Sequence, residues 1–118
     1  MPRILITGGR DFNDRVRLWA LLDILHKRDP ITAIIHGAAR GADRLGQQWA
    51  LSRGIQQEEF PAQWDLHGIA AGVIRNTQML NEGKPDYIVA CPGGKGTADM
   101  VRKARNANIP IIFLDEVS

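Results

Sequence analysis

The sequence predicts an α/β fold, a three-layer sandwich around a five-stranded, mainly parallel sheet. Three observations carry this expectation. Short aliphatic runs recur along the chain and are continuous rather than alternating, as strands covered on both faces of a parallel sheet are. Segments whose apolar residues fall at helical spacing separate these runs. Glycine-rich turns directly follow three of them, at the carboxyl ends of strands, where doubly wound sheets bind ligands.

The first strand is predicted over "ILIT" (4–7), and Leu18, Leu22 and Leu25 mark the helix after it. The run "AII" (33–35) gives the second strand, followed by a helix carrying Leu45 and Trp49. "QQEEF" (56–60) is a weaker third strand; its polar side chains would be costly in the sheet centre, so it belongs at an edge. Ile69, Val73 and Leu80 mark a third helix, "YIVA" (87–90) the fourth strand, and "IIFL" (111–114) the fifth. Between the last two a helix runs from about Thr97 to Ala107, stopping near Asn108 before Pro110. Trp19 and Trp49 fall on helical faces and are read as core. Right-handed crossovers leave few ways to connect such strands, and the Rossmann-like order 3-2-1-4-5 sets the first and fourth side by side. The loops "GGRDF" (8–12) and "PGGKGT" (92–97) then face each other, and "HGAARGAD" (36–43) follows the strand next to the first. Three glycine loops converge on one mouth.

A chain of 118 residues with 44% hydrophobic content suits one domain spanning 1–118. No apolar stretch approaches the roughly 20 residues of a membrane span. Met1-Pro2-Arg3 leads straight into "ILITGG" without the features of a signal peptide. A cytoplasmic location and no membrane partner are expected. Cys91 is the only cysteine, and with His26, His36 and His67 it forms no metal-ligand spacing, so neither a metal nor a cofactor is expected. The net charge of +2 and isoelectric point near 9.0 leave room for nucleotides or nucleic acid. Lys95 is followed by Gly96 rather than Ser or Thr, which excludes a Walker A loop, and the absence of GxGxxG after the first strand weighs against NAD-dependent redox chemistry.

Gly93 and Gly94 permit close approach of an anion to the main chain, while Gly96 and Thr97 open a helix whose free N–H groups attract phosphate. Gly8 and Gly9 in the first loop, and Gly37 and Gly41 in the second, extend the same mouth. Arg10, Arg40 and Arg75 offer guanidinium forks to phosphate, although each alone reads more readily as a surface arginine, and only its place in a glycine loop (Arg10, Arg40) or beside Asn76 (Arg75) raises it. Asp11, Asp43 and Asp99 could hold ribose hydroxyls or act as acid or base. For Asp43 and Asp99 the alternative is the attraction of a carboxylate to a helix start. Trp64 reads first as packing and second as a platform for a base, with Asp65 or His67 nearby. Cys91, beside the glycine loop, reads as an inert buried thiol in preference to a nucleophile paired with His36.

The motifs "ILITGGRDF", "HGAARGADRLGQQWA", "FPAQWDLHGIAAGVIRN" and "CPGGKGTADMVRKARNANIP" resemble the SLOG superfamily of Rossmann-like nucleotide-binding proteins, in its small YspA-related branch of unknown function. The resemblance runs over nearly the whole chain and implies binding of a nucleotide or nucleotide-derived ligand. More distantly similar are the Lonely guy phosphoribohydrolases, which carry PGGxGTxxE and an Arg-Lys pair on the preceding helix and cleave the N-glycosidic bond of nucleoside monophosphates. Pro92, Gly93, Gly94, Gly96 and Thr97 match that loop and Arg75 its arginine, but Met100 stands at the glutamate position and Asn76 at the lysine.

The leading expectation is a nucleotide-binding domain, with a sensor as one use of such binding, phosphate on the 93–97 loop, and ribose or base toward Arg10, Asp11, Arg40 and Asp43. The alternative is a phosphoribohydrolase-like enzyme in which Arg75 positions the substrate and Asp99, Asp43 or Asp11 replaces the missing glutamate. A third reading is single-stranded nucleic-acid binding, implied by the similar domain of the DNA-processing protein DprA; Lys and Arg form no evident stripe to support it. The resemblance also implies a homo-oligomer, most simply a dimer.

Overall fold

In the computed structural model, which describes residues 2–116, the four aliphatic runs and the polar third segment become five strands: β1 (Arg3–Thr7), β2 (Ala33–His36), β3 (Gln56–Glu59), β4 (Tyr87–Ala90) and β5 (Ile111–Phe113). All neighbours pair in parallel, in the order β3-β2-β1-β4-β5. The strand pattern explains itself once both faces are seen to be covered. Ile4, Ile6, Ile34 and Val89 point into one core with Leu18, Leu22 and Trp49, from helices α1 (Arg15–Arg28) and α2 (Ala42–Ser52). Leu5, Ile35 and Ile88 point into the other, with Met79, Met100 and Ala104. Successive residues of a strand face opposite ways, so a central strand between two cores needs an unbroken apolar run. β3 pairs only with β2, and its Gln and Glu side chains are at least partly exposed, as its composition requires of an edge.

The segment between β3 and β4 departs from the single third helix expected. A short helix α3 (Trp64–His67) ends at Gly68, whose φ of +59° breaks it. A 3-10 turn (Gly68–Ala70), helix α4 (Ala71–Gln78) and a π turn (Met79–Gly83) complete the crossover. Ile69 and Val73 therefore do not join the core: they are 99% and 49% exposed. Ala71, Asn76, Met79 and Gly83 are the buried positions instead. Helix α5 (Lys95–Asn106) starts two residues before the expected Thr97 and ends one before Ala107. Trp49 is fully buried and Trp19 partly so, its Nε1 donating to Leu45 O at 3.0 Å. Among the described residues no helix is long and apolar enough to cross a membrane.

At the ends of β1 and β4 the turns are pressed together main chain to main chain. Gly9 N donates to Pro92 O at 2.8 Å. A Cβ on Gly9 would lie 3.1 Å from Gly93 Cα. On Gly41, where φ is +76°, a Cβ would collide with Gly9 O. At Gly8 it would meet Ala42 Cβ at 2.6 Å and Cys91 Cβ at 2.7 Å. Those two Cβ atoms are fixed to their own backbones, so no rotamer change relieves the clash. Gly8→Ala is expected to cost stability near the upper end of the overpacking range, about 3 kcal/mol, read as a lowered urea midpoint with unchanged m-value.

Candidate functional site

The mouth between β1 and β4 opens into a cavity of about 520 Å³, within the size range of small-molecule sites. Its floor is Thr7 at the end of β1 with Gly8 and Gly9 after it; Gly94, Lys95, Gly96 and Thr97 at the start of α5 form one wall; Gly72, Val73, Arg75, Asn76 and Met79 form another. Asp43, Ala39, Arg10, Trp64 and Ile69 close the rim. A second hollow of about 330 Å³ adjoins it, sharing Arg10, Ala39, Trp64 and Arg75 and adding Gly37, Ala38, Arg40, Arg44, Pro61 and Ala62.

The start of α5 is the most open donor surface. Its first internal backbone bond is Ala98 N to Gly94 O, 3.0 Å, which leaves the amides of Lys95, Gly96 and Thr97 without partners inside the helix. Gly94 supplies no side-chain cap and the first turn holds no acidic residue. Space is left open there as well: a Cβ on Gly94 or Gly96 would have nothing within 4 Å.

Arg75 and Asn76 hold this surface in place. Arg75 donates to Gly37 O at 2.7 Å and to Asn76 Oδ1 at 3.1 Å, and its guanidinium occupies the space a side chain on Gly37 would need. Asn76 is buried and donates to Gly96 O and Asp99 Oδ2, both at 3.1 Å. Asp99 lies behind the wall, outside the cavity lining. Its carboxylate pairs with Lys103 at 2.8 Å and with Arg102. Burial raises its pKa, but the Lys103 and Asn76 hydrogen bonds and the two cations outweigh that, leaving it below the usual range.

Asp43 is the carboxylate that does line the cavity. It accepts from Gly37 N at 3.0 Å and Ala39 N at 3.4 Å. Burial pushes its carboxyl above the ordinary value, and nearby Arg75 with the two amides only partly offsets this. Burial likewise lowers the Arg75 guanidinium, against the pull of Asp43. Of the other expected residues, Asp11 is fully exposed and touches only Arg40, at 3.9 Å between solvated groups; it lines neither hollow. Gly41 and Gly93 shape the turns without lining the cavity, and Arg40 reaches only the second hollow.

Trp64, read first as packing, is 47% exposed at the rim, with the Arg10 guanidinium 5.5 Å from its ring centroid. Asp65 and His67 lie outside the main cavity. His36 is fully buried: Nδ1 accepts from Ala38 N and Nε2 faces Gln57 Oε1. The Cys91 thiol is buried and its pKa is pushed up to about 12, chiefly by burial, so it stays protonated and un-nucleophilic. Met100 is fully buried in the second core cluster, so this position serves packing. Thr7, Gly72, Met79 and Lys95 joined the lining without being singled out in the sequence; only Lys95, inside the glycine loop, carried a visible signal.

A doubly wound parallel sheet with its crevice at the β1/β4 switch point makes this a Rossmann-like protein. More narrowly, the chain belongs to the YspA, cpYpsA-related SLOG family, whose family model matches residues 2–67. That span carries β1 to β3 and two of the three glycine loops. The Gene 61 protein of Mycobacterium phage D29 is 42% identical over 122 aligned residues, covering 95% of each chain. Among solved structures, glycinamide ribonucleotide transformylase 1 from Symbiobacterium toebii superposes with a TM-score of 0.45 at 19% identity, over 80% of this chain. The chain spans 42% of that protein's length.

The Asp43 carboxyl gives the site a pH signature. The folded protein holds this proton more tightly than the unfolded chain, where aspartate titrates near 3.8. Its stabilising effect is therefore complete below that value and lost as pH rises through the folded pKa. Asp43→Asn keeps an oxygen for the two amides and removes the dependence. The stability of wild type relative to Asp43→Asn should fall as pH rises above about 4, measured by urea unfolding at each pH.

Proposed function

We propose that this cavity binds a nucleotide or nucleotide-derived ligand, with a phosphate on the amides of Lys95, Gly96 and Thr97 and the ribose or base toward Arg10, Asp43 and Trp64. One observation supports this above the others. Gly96 sits in a helix, where alanine is the better residue, with no atom near its missing side chain. Neither backbone conformation nor packing within the fold calls for glycine there. Close approach of a ligand does, and the uncapped helix start beside it favours an anion. The cavity's mixed wall of apolar and donor groups, with Trp64 on the rim, suits a base and sugar beyond the phosphate.

A second reading, hydrolysis of an N-glycosidic bond, is favoured by one feature. Asp43 is a cavity carboxylate with a raised pKa, the property of a general acid. Asp99 is less suited, being paired with Lys103 and Arg102 outside the lining. Incubation with a panel of nucleoside monophosphates separates the readings. Saturable binding without released base is the expected result; turnover lost in Asp43→Asn and kept in Asp99→Asn would favour the enzyme.

Gly96→Ala tests the phosphate position. It should leave the urea midpoint unchanged or slightly raised, since alanine exceeds glycine in a helix by up to about 1 kcal/mol. Nucleoside monophosphate affinity, measured by calorimetry, should fall about tenfold or more as the methyl group displaces the phosphate from charge-assisted bonds. Unchanged affinity would move the phosphate elsewhere.

A further inference from the structure

The second hollow has a chemistry of its own. Arg10, Arg40, Arg44 and Arg75 line it, together with Trp64 and small uncharged residues, and no carboxylate is among its lining groups. These arginines come from different parts of the fold: the turn after β1, the turn after β2, the first turn of α2, and α4. Their internal partners are few. Arg10 stacks on Trp64, and Arg40 meets only exposed Asp11 at 3.9 Å. Among the described residues Arg44 makes no ion pair or side-chain hydrogen bond. Arg75 spends two nitrogens on Gly37 and Asn76, and its pKa is lowered first by burial and further by the charge of Arg10. Like charges converging on a small hollow repel one another unless an anion sits between them. Guanidinium forks are well matched to phosphoryl oxygens.

We infer that the hollow lined by Arg10, Arg40, Arg44 and Arg75 is a second anion subsite, and that the ligand carries two phosphoryl groups, one in each hollow. This rests on the nucleotide reading above. The hollows share Arg10, Ala39, Trp64 and Arg75, so one molecule can reach both by passing the Arg10–Trp64 stack. Arg75 faces both, close to Asp43 on the side of the main cavity. Arg40 and Arg44 line the second hollow and not the first; Arg40 already meets Asp11, so Arg44 is the residue that separates the subsites experimentally.

The experiment compares common ribonucleoside 5′-monophosphates with their 5′-diphosphates and 3′,5′-bisphosphates, by calorimetry at fixed low salt, on wild type and Arg44→Ala. Arg44 is exposed, so the variant should fold; a matching urea midpoint checks this. In wild type the second phosphate, in at least one of the two placements, should tighten binding about tenfold or more, as charge-assisted hydrogen bonds do. In Arg44→Ala most of that gain should vanish while monophosphate affinity stays within about threefold of wild type, and Arg44→Lys should restore part of it. Monophosphate binding with no gain from a second phosphate would overturn the second subsite and leave the nucleotide reading intact. A gain that survives in Arg44→Ala would also overturn it. Failure of every nucleotide to bind would sink both.

Discussion

The architecture turns on a crowding constraint: three loops, distant in sequence, meet main chain to main chain where β1 and β4 lie side by side. Gly8, Gly9, Gly41 and Gly93 are the contact points; a single methyl group would overlap a neighbour at Gly8, Gly41 and Gly93 and be tightly pressed at Gly9. Side-chain bulk is thereby excluded from the mouth of the crevice. What remains facing the opening on its α5 side is backbone amide, which binds anions without choosing among them by shape. The constraint follows from topology, because only a sheet whose order reverses at β1 brings the first and fourth loops to one place.

Behind the mouth, polar residues turn this crowding into fixed geometry. The line from Gly37 O through Arg75 and Asn76 to Asp99 and Lys103 ties the turn after β2 to the start of α5. Burying Asp99 would be costly alone. Two cations and the Asn76 amide offset the cost, and removing any of them leaves a buried charge underserved. Lys103 also donates to Val73 O at 2.7 Å, so the network clamps α4 to α5 on both sides of the cavity wall. Stability and site geometry depend on the same few bonds.

Much of this was legible in the sequence because burial on both faces leaves a plain trace. Continuous runs such as "ILIT" and "YIVA" mark central strands, and glycines at their carboxyl ends mark the turns. Together they fix sheet order and the convergence of the loops. The segment from 64 to 83 was less legible. Ile69 and Val73 keep helical spacing with Leu80, yet the break at Gly68 turns the chain so that those two side chains face outward by the crevice. Periodicity records spacing along a helix and is blind to a change of axis. Trp64 misled for a related reason: tryptophan is usually buried, but this one has an arginine from another loop to stack on. Arg44 gave no signal at all, because an arginine in the first turn of a helix resembles any solvated arginine until the chain brings Arg10 and Arg75 near it.

The three aspartates near the crevice show how position rather than residue type sets chemistry. Asp11 is in water and meets only the equally solvated Arg40, so it fixes no loop. Asp99 is surrounded by donors that favour its charge, so it remains an anion and orders Asn76 and the start of α5. Asp43 is deprived of water without an equivalent set of donors, so its charged form is disfavoured. It is also the one of the three exposed to the cavity. A phosphate entering nearby would add negative charge and disfavour the Asp43 anion further. The neutral carboxyl could then donate a hydrogen bond to a ribose or phosphate oxygen that a carboxylate would repel. The raised carboxyl serves a site that only holds an anionic ligand as well as one that cleaves it, so Asp43 fits both readings and turnover is what separates them.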